Sequence, residues 1–355
     1  MRLLVAGGAG FIGSNFIRYV LHTYPEDAIV NYDALTYAAN PANLADVETR
    51  FRGRYVFVHG DIIDEAKLLE TITEHQVEAI INFAAETHVD RSIHLGARAF
   101  VLTNTLGVCS ILDAVRKFGV GRFVNVSTDE VYGALELEET QRFTEETAFA
   151  PNMPYAAAKA GGDLLCRSYW ATHKVPVIVT HCSNNYGPFQ FPEKLIPFAI
   201  FRALADEPVP IYGDGLHVRD WIFVDDHCAA LDAILRRGEP GAVYNIGVDN
   251  ERNNLDVIRL LLDIIGKPHS LMTHVTERPG HDRRYAIDAT KLYTSFNWQP
   301  VYHRTRFPEG LERTVRWYLD NRPWVERLRS RAAEINAHIC TTTGMPIPER
   351  QSVKV

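Results

Sequence analysis

Cysteine is scarce in this chain of 355 residues, and the cysteines that occur are far apart. They form no CxxC pair and their number is odd, so neither a disulfide framework nor a cysteine zinc site is expected. This use of cysteine fits a reducing compartment, and we expect a cytoplasmic protein without a bound metal. The five are Cys109, Cys166, Cys182, Cys228 and Cys340.

The chain also lacks an excess of basic residues and a long apolar run. Lys and Arg number 37 against 44 Asp and Glu, a net charge of −7, which argues against general binding of nucleic acid. The apolar start, 1–6, reaches glycine too soon for a signal peptide. No later run approaches the ~18 apolar residues of a membrane helix, so we expect a soluble protein with no membrane partner.

Short apolar segments alternate with helical patterns through the first half of the chain. This alternation predicts parallel pairing and a Rossmann-type, doubly wound α/β sheet. Prolines interrupt the segment after about Pro188, which we interpret as a smaller α/β lobe over the carboxyl edge of the sheet. The predicted strands are 3–6, 29–33, 55–61, 79–84, 122–127 and 177–181, and the main predicted helices are 11–22, 106–118, 155–173, 225–236 and 255–265.

A glycine-rich loop follows the first predicted strand and opens the first predicted helix. Its sequence, Gly7-Gly8-Ala9-Gly10-Phe11-Ile12-Gly13, is a G-x-x-G-x-x-G variant of the dinucleotide fingerprint. Glycines permit the tight turn, and the helix N-terminus then faces a pyrophosphate. Asp33 ends the next strand, where a carboxylate holds a ribose hydroxyl and repels the extra phosphate of NADP. The loop therefore favours NAD, although a glycine turn with an incidental aspartate is the alternative.

Asp61 and Ile62, after the third predicted strand, are candidates for holding the adenine. An ordinary helix cap is the alternative for Asp61.

Tyr155 and Lys159 are four residues apart on a predicted helix, so their side chains share a face. A nearby ammonium and the positive ring of a nicotinamide favour the phenolate, which can take a proton from a substrate hydroxyl as hydride leaves. Ser127 and Thr128 supply hydroxyl donors upstream. The alternative is an ordinary exposed pair.

Two adjacent carboxylates, Asp129 and Glu130, follow the fifth predicted strand. Elimination of water beside a ketone needs a base and a proton donor that lie close together in different protonation states. Burial and the acidic neighbour would both raise the pKa of Asp129, but its protonation state is not visible in the sequence. Taken without its context, the pair is more simply explained as a solvated loop or helix cap.

With these residues, the chain resembles the dTDP-glucose 4,6-dehydratases of the extended short-chain dehydrogenase/reductase superfamily from residue 1 to about 320. The segments that carry the resemblance, beyond the glycine loop, Asp33 and the Tyr-Lys pair, are 82–85, 85–92, 128–133, 184–188, 192–197, 219–221 and 278–285.

The resemblance implies NAD-dependent conversion of dTDP-glucose to a 4-keto-6-deoxy sugar, for the biosynthesis of deoxysugars such as rhamnose. C4 is oxidised, water is eliminated across C5 and C6, and hydride returns to C6, so tightly held NAD is recycled. The resemblance assigns Glu130 to the C5 proton, Asp129 to the C6 hydroxyl and Thr128 to the C4 oxygen. It also implies a homodimer through helices near 106–118 and 155–173.

Further site residues follow from the resemblance. The implied cofactor contacts are Gly7, Gly10, Phe11, Ile12, Gly13, Asp33, Asp61, Ile62, Ala84, Ala85, Thr103, Tyr155, Lys159 and Asn185. The implied substrate contacts are Thr87, Thr128, Asn184, Lys194, Leu195, Pro210, Tyr212, Arg219, Asn254, Arg278 and His281, with Arg219 as the main clamp for the diphosphate because a guanidinium suits phosphate oxygens.

The change of pattern along the sequence also suggests a division of the chain. Residues 1–188 are expected to bind NAD, and 189–321 to bind mainly the nucleotide sugar, with crossing between lobes permitted. Residues 322–355 form a C-terminal extension of unknown role, with a mobile tail expected at 341–355.

Four residues depart from the common family pattern: Ala158, His181, His217 and Glu277. None removes a catalytic group, but they leave the preferred base open, so a dehydratase acting on another nucleotide sugar such as UDP-glucose is the alternative. Asp129 argues against an epimerase or a decarboxylase. A non-catalytic NAD-binding sensor is a third possibility, which the intact catalytic residues disfavour.

Overall fold

The computed structural model describes residues 1–94 and 96–336, and the expected tail at 341–355 lies outside them. The strands are β1 (Arg2–Ala6), β2 (Ala28–Asp33), β3 (Tyr55–His59), β4 (Ala79–Asn82), β5 (Arg122–Thr128), β6 (Val177–Cys182), β7 (Asn184–Tyr186), β8 (Val209–Tyr212), β9 (Val218–Phe223), β10 (Val243–Ile246), β11 (Glu251–Asn253) and β12 (Met272–Val275). The helices are α1 (Phe11–Thr23), α2 (Ala45–Arg50), α3 (Glu65–Glu74), α4 (Val89–His94), α5 (Arg98–Val101), α6 (Val108–Phe118), α7 (Pro154–His173), α8 (Leu195–Leu204), α9 (Val224–Arg237), α10 (Asn254–Ile265), α11 (Thr290–Phe296), α12 (Phe307–Asp320) and α13 (Arg322–Ile335).

A seven-stranded sheet forms the centre of the first lobe, in the order β10-β6-β5-β4-β1-β2-β3. Every neighbouring pair in it is parallel. The chain moves outward from β1 in one direction to β2 and β3, and in the other to β4 and β5. This reversal leaves a crevice at the carboxyl ends of β1 and β4, the usual ligand position in open α/β sheets. The predicted doubly wound sheet is confirmed.

Helices cover both faces of this sheet. On one face, α1 and α9 bury apolar side chains such as Phe16, Ile17 and Leu231 against the strands. On the other face, α3, α6 and α7 contribute residues such as Ile111 and Leu112. The strands read as continuous apolar runs because both of their faces are buried.

The second lobe has its own apolar core. It combines a three-stranded sheet, β11-β9-β7, and a two-stranded sheet, β12-β8, with α8, α10, α12 and α13. Trp324 of α13 packs into this core and donates a hydrogen bond from Nε1 to Asn43 Oδ1 at 2.9 Å. The first part of the predicted C-terminal extension is therefore folded onto the protein. The chain also returns to the first lobe, because β10 pairs with β6; the division at residue 188 stays a prediction.

The predicted helix at 106–118 starts earlier and is not a simple α-helix. A π-helical segment, Leu102–Gly107, joins α5 to α6, so the chain is helical from Arg98 to Phe118. The stretch has 21 residues, and an 18-residue window of it has a mean hydropathy of 1.3. By length and composition it could cross a membrane, but 44% of that window is buried inside the protein. Length and composition alone also describe a core helix that is packed on one side, and this stretch packs against α3 and α7.

Two glycines permit close crossings near the carboxyl edge of the sheet. Gly7, between β1 and α1, has a φ of +75°, and a Cβ there would lie 2.5 Å from the nitrogen of Ala84. Gly162, in α7, would place a Cβ 2.5 Å from the carbonyl oxygen of Asn104. Any larger residue would push the loop after β4 or the π-helical segment away from its neighbour.

We expect Gly7→Ala to lower the free energy of unfolding by about 3 kcal/mol or more, because it adds a backbone clash to the strain of a positive φ. Gly53→Ala is the matched control, since Gly53 has a φ of +88° with nothing within 4 Å of its Cβ position. That variant should lose only about 1 kcal/mol. Denaturant unfolding of both variants measures the difference, and equal losses would contradict the close approach at Ala84.

Candidate active site

A cleft opens at the carboxyl ends of β1, β4 and β5, on the side where the second lobe begins. Most of the predicted site residues meet there. The predicted residues that line the cleft are Gly7, Gly10, Phe11, Ile12, Gly13, Asp33, Asp61, Ile62, Ala84, Ala85, Thr87, Thr103, Thr128, Asp129, Glu130, Tyr155, Lys159, Asn184, Asn185, Lys194 and Leu195.

The glycine loop and Asp33 form one end of the cleft. α1 begins after Gly10 without a side-chain cap, so its first-turn N–H groups remain available to a ligand. The Asp33 carboxylate accepts hydrogen bonds from the nitrogens of Ala9 at 2.8 Å and Leu35 at 2.7 Å, which fix its orientation. Burial raises the pKa of Asp33, and these main-chain donors oppose the rise. The donors and the carboxylate fit the pyrophosphate and ribose of a dinucleotide.

Asp61 is not the N-cap of α3. Its carboxylate accepts from the nitrogen of Ile63 at 3.1 Å, whereas Asp64 caps the helix by accepting from Lys67 N at 3.0 Å. The helix-cap alternative for Asp61 is therefore wrong, and its contact with adenine stays a prediction.

The predicted acid pair lies in a single turn of 3₁₀ helix, Asp129–Tyr132, directly after β5. Thr128 begins this turn, because its hydroxyl accepts from the nitrogen of Glu130 at 3.3 Å. Asp129 is only 2% exposed, and its Oδ1 lies 3.4 Å from the Thr128 hydroxyl. The solvated-loop alternative for this pair is excluded by the burial of Asp129.

The two carboxyls have unlike surroundings. Burial raises the pKa of Asp129 well above its usual range, and the neighbouring Glu130 raises it further. Burial also raises the pKa of Glu130, but Lys194, Arg278 and Arg219 act against the rise. Nearby cations therefore favour the charged form of Glu130, whereas the charge of Glu130 disfavours the charged form of Asp129.

Tyr155 and Lys159 lie together on the first two turns of α7, with both side chains buried. Lys159 donates from Nζ to the carbonyl oxygen of Val126 at 2.7 Å. Burial raises the pKa of Tyr155 well above 10, and Glu130 raises it further, whereas a hydrogen bond with Thr128 lowers it. The expectation that the ammonium favours the phenolate is therefore not met by the protein alone, because burial and the Glu130 charge outweigh it.

Six predicted substrate residues lie beside the cleft rather than in its lining. The Arg219 guanidinium lies over the ring of Tyr285, 4.2 Å from its centre, and donates to the carbonyl oxygen of Asp282 at 2.9 Å. Arg278 pairs with Asp90 at 2.8 Å. Both arginines are close enough to Glu130 to lower its pKa. The six are Pro210, Tyr212, Arg219, Asn254, Arg278 and His281.

Comparison with known proteins agrees with this geometry. The GDP-mannose 4,6 dehydratase family model matches residues 4–314. A dTDP-glucose 4,6-dehydratase of Xanthomonas campestris pv. campestris is 48% identical over 341 residues, which cover 91% of this chain and 94% of that protein. The chain belongs to the dTDP-glucose 4,6-dehydratase family.

Solved structures of the same family have the same fold. The dTDP-glucose 4,6-dehydratase of Streptomyces venezuelae, solved with NAD bound, superposes with a TM-score of 0.87 at 46% identity and covers 92% of this chain and 100% of that one. The enzyme of Bacillus anthracis, also in complex with NAD, has a TM-score of 0.85 at 46% identity, with coverages of 92% and 99%.

A cluster of His217, Glu277 and His281 lies at the second-lobe side of the site. The Glu277 carboxylate contacts both rings, His281 Nδ1 at 2.6 Å and His217 Nε2 at 3.2 Å, and the rings stack with their centres 3.7 Å apart. The potential ligand atoms lie within 4.8 Å of one another, as in a metal site. However, burial and then Arg219 and Arg283 lower the pKa of His217 to about 4, so nearby guanidiniums disfavour a cation.

Sequence reasoning missed Glu193, which lines the cleft beside Lys194. Its carboxylate accepts from the hydroxyls of Thr87 at 3.1 Å and Tyr37 at 3.2 Å, and burial raises its pKa. Glu193 lies within the quoted segment 192–197, but a single glutamate has no spacing that marks it. Tyr37 lies in the loop after β2, where no pattern pointed to it.

We expect Asp129→Asn to stabilise the protein at pH 8 more than at pH 5. The folded pKa of Asp129 is raised above its unfolded value, so between the two values the folded state holds a proton that the unfolded chain has lost. Wild-type stability then falls as pH rises, by up to about 1.4 kcal/mol per pH unit, and the asparagine removes that fall. Thermal unfolding at both pH values measures it.

Asp288→Asn is the control of opposite sign. Hydrogen bonds from Thr290 lower the pKa of Asp288, so its contribution to stability is present above the unfolded pKa, and the substitution should destabilise at both pH values. A loss of stability in Asp129→Asn that is equal at pH 5 and pH 8 would show that Asp129 is not held protonated.

Proposed function

We propose that this protein binds NAD and dTDP-glucose and converts the sugar to dTDP-4-keto-6-deoxyglucose, for deoxysugar biosynthesis. Family membership supports the reaction class. The observation that carries the proposal is the placement of Asp129 and Glu130, two buried carboxyls in unlike surroundings, beside Tyr155 and Lys159. An epimerase needs no such pair for elimination.

NAD would lie along the first-turn N–H groups of α1, with Asp33 toward the ribose and Tyr155 and Lys159 toward the nicotinamide. The fit is supported by Gly7, where a Cβ would fill the close approach to Ala84, and by the fixed carboxylate of Asp33. When bound, NAD accepts a hydride from the substrate and later returns one to it.

The catalytic side chains divide the proton transfers among them. Tyr155, hydrogen-bonded to Thr128, takes the proton of the C4 hydroxyl; its raised pKa in the protein alone means that the charge of the bound nicotinamide is needed to favour the phenolate. Glu130, kept the more acidic of the pair by three nearby cations, takes the C5 proton that the 4-ketone has acidified. Asp129, protonated by burial, gives its proton to the departing C6 hydroxyl.

The diphosphate would bind between the lobes, against Lys194, Arg219, Arg278 and His281. Burial, followed by the charges of Arg278 and Arg219, lowers the pKa of His281, so these side chains present a surplus of positive charge. A diphosphate placed there reverses the effect on His281 and adds hydrogen-bond acceptors for both guanidiniums.

We expect the purified protein to convert dTDP-glucose to a product with the alkali-dependent absorbance of a 4-keto-6-deoxy sugar. Glu130→Gln should keep NAD but lose turnover by about 100- to 10,000-fold, the usual contribution of a positioned base. A panel of dTDP-, UDP-, GDP- and CDP-hexoses tests the preferred base. If only UDP-glucose is converted, it replaces dTDP-glucose as the proposed substrate. If none of these nucleotide sugars gives a product, the dehydratase assignment is overturned.

Glu146→Gln is the matched control, because Glu146 is exposed in the loop before α7. It should retain full turnover. A fully active Glu130→Gln variant would remove Glu130 from the mechanism.

We also infer that the protein is a cytoplasmic homodimer. The helical stretch from Arg98 to Phe118 and the neighbouring α7 expose apolar side chains, among them Leu106 at 49% and Leu164 at 55%. Adjacent exposed leucines favour a partner surface, and a second copy of the same helix pair would cover them in a two-fold interface. The described cysteines are free, which supports a reducing compartment.

Leu164→Glu is expected to shift the protein from dimer to monomer in sedimentation or light scattering, because a carboxylate would be buried opposite its own copy. Val301→Glu is the control, since Val301 is also exposed, at 51%, but lies in a loop of the other lobe. A wild-type protein that is monomeric at micromolar concentration would refute the dimer.

A further inference from the structure

A buried polar network lies behind Lys159, on the side away from Tyr155, and no catalytic step assigned above uses it. Its centre is the pair of His181, on β6, and Asp163, one helical turn after Lys159 on α7. The side chains are 1% and 2% exposed, and His181 Nε2 lies 3.2 Å from Asp163 Oδ2. Ionisable groups buried this deeply need full hydrogen bonding.

Asp163 has the partners of an ionised carboxylate. Asn125 donates to its Oδ1 at 3.0 Å, and Ser127 donates to its Oδ2 at 2.6 Å. The side-chain amide of Asn125 cannot be flipped to exchange its oxygen and nitrogen, because its Oδ1 accepts a hydrogen bond from Asn82 Nδ2 at 3.0 Å. Asn82 is fixed in turn, since its own Oδ1 accepts from the nitrogen of Ala84 at 3.1 Å. With His181 as a third neighbour, every contact of the carboxylate is satisfied by accepting a hydrogen bond.

The protons on His181 follow from its other neighbour, Tyr132. Asn245 donates from Nδ2 to the carbonyl oxygens of Phe143 at 3.0 Å and Asp288 at 3.2 Å, so its Oδ1 faces Tyr132. The Tyr132 hydroxyl lies 2.8 Å from that Oδ1 and donates its single proton to it. The same hydroxyl oxygen lies 2.6 Å from His181 Nδ1, and with its proton used it can only accept there. His181 therefore donates from both ring nitrogens.

We propose that His181 is a doubly protonated imidazolium paired with Asp163, and that it acts as a positioning residue which frees the charge of Lys159 to act on Tyr155. Burial lowers the pKa of the Lys159 amine, and the nearby Asp163 carboxylate opposes that fall. An unpaired carboxylate there would cancel much of the Lys159 charge that Tyr155 experiences. With His181 charged, Lys159, Asp163 and His181 together keep one positive charge, which favours the Tyr155 phenolate. This inference rests on the role proposed above for Tyr155.

Other ionisable groups also face the pair. Lys159 and Cys166 approach Asp163 along α7, and Cys182 follows His181 on β6. Asp129 and Glu145, together with Asp163, reinforce the raised pKa that burial gives Tyr132, so its hydroxyl keeps its proton and serves as a donor. The Glu145 carboxylate near Tyr132 also favours a cation at His181.

The protonation of His181 can be measured without turnover. In the NAD-bound wild-type protein with ¹⁵N-labelled histidine, we expect one-bond ¹⁵N–¹H couplings at both ring nitrogens of His181, assigned by their loss in His181→Gln. Tyr132→Phe removes the acceptor at Nδ1, and His181 should then keep a single proton. A wild-type His181 with one protonated nitrogen would overturn the proposal, whether or not the protein is a dehydratase.

The pH profile of sugar oxidation tests the consequence. On the acidic side of the profile, kcat rises with pH. In His181→Gln this rise should occur about one pH unit higher, so that kcat at pH values below it is about tenfold lower, while KM changes by no more than about twofold. Tyr132→Phe should also shift this rise in kcat to higher pH. Thr180→Val is the control, because Thr180 is the preceding residue of β6 and its buried hydroxyl has no partner among the described residues. In this variant kcat should rise at the same pH as in the wild type.

If the pH at which kcat rises is the same in His181→Gln and Tyr132→Phe as in the wild type, the proposed link to Lys159 is overturned. If the ring couplings are as expected but no nucleotide sugar is turned over, the charged pair stands and the proposed function fails.

Discussion

Burial of ionisable groups at the carboxyl end of β5 is the constraint on which the site depends. Asp129, Glu130, Tyr155 and Lys159 are all removed from water there, and burial is the largest influence on the pKa of each. In a low-dielectric setting, small differences in neighbours become large differences in charge state. The seven-stranded sheet places these side chains at its carboxyl edge, and Lys194, Arg219 and Arg278 add positive charge near Glu130.

Much of the first lobe could be predicted from the sequence. Its strands are apolar runs buried on both faces, which alternate with amphipathic helices, and those patterns depend on few distant contacts. The second lobe was harder, because β7 and β11 have three residues each and are defined by pairing with β9. The π-helical segment was not predicted, since the shift that it makes in the spacing of apolar residues cannot be recognised over six residues.

Within the site, the acid pair could likewise be predicted only in part from the sequence. Its position after β5 and its proximity to Tyr155 could be read from spacing, but the cations that separate Glu130 from Asp129 come from residues 194, 219 and 278, far along the chain. The raised pKa of Tyr155 in the protein without cofactor could not be predicted, because burial cannot be read from a tyrosine and a lysine four residues apart. His181 appeared only as a departure from the family pattern, because its hydrogen bonds to Tyr132 and Asp163 depend on the fold.

The return of the chain to β10 has a consequence for how the protein is made. β6 ends at Cys182 and its outer neighbour begins at Val243, so about 60 residues, many of them in the other lobe, are synthesised in between. At roughly 5–20 residues per second, the edge of β6 stays open on the ribosome for several seconds. A ribosome that pauses within this interval leaves an unpaired strand edge, the kind of surface that recruits a second nascent chain. The order of strands thus makes the middle of the message the vulnerable stage of biosynthesis.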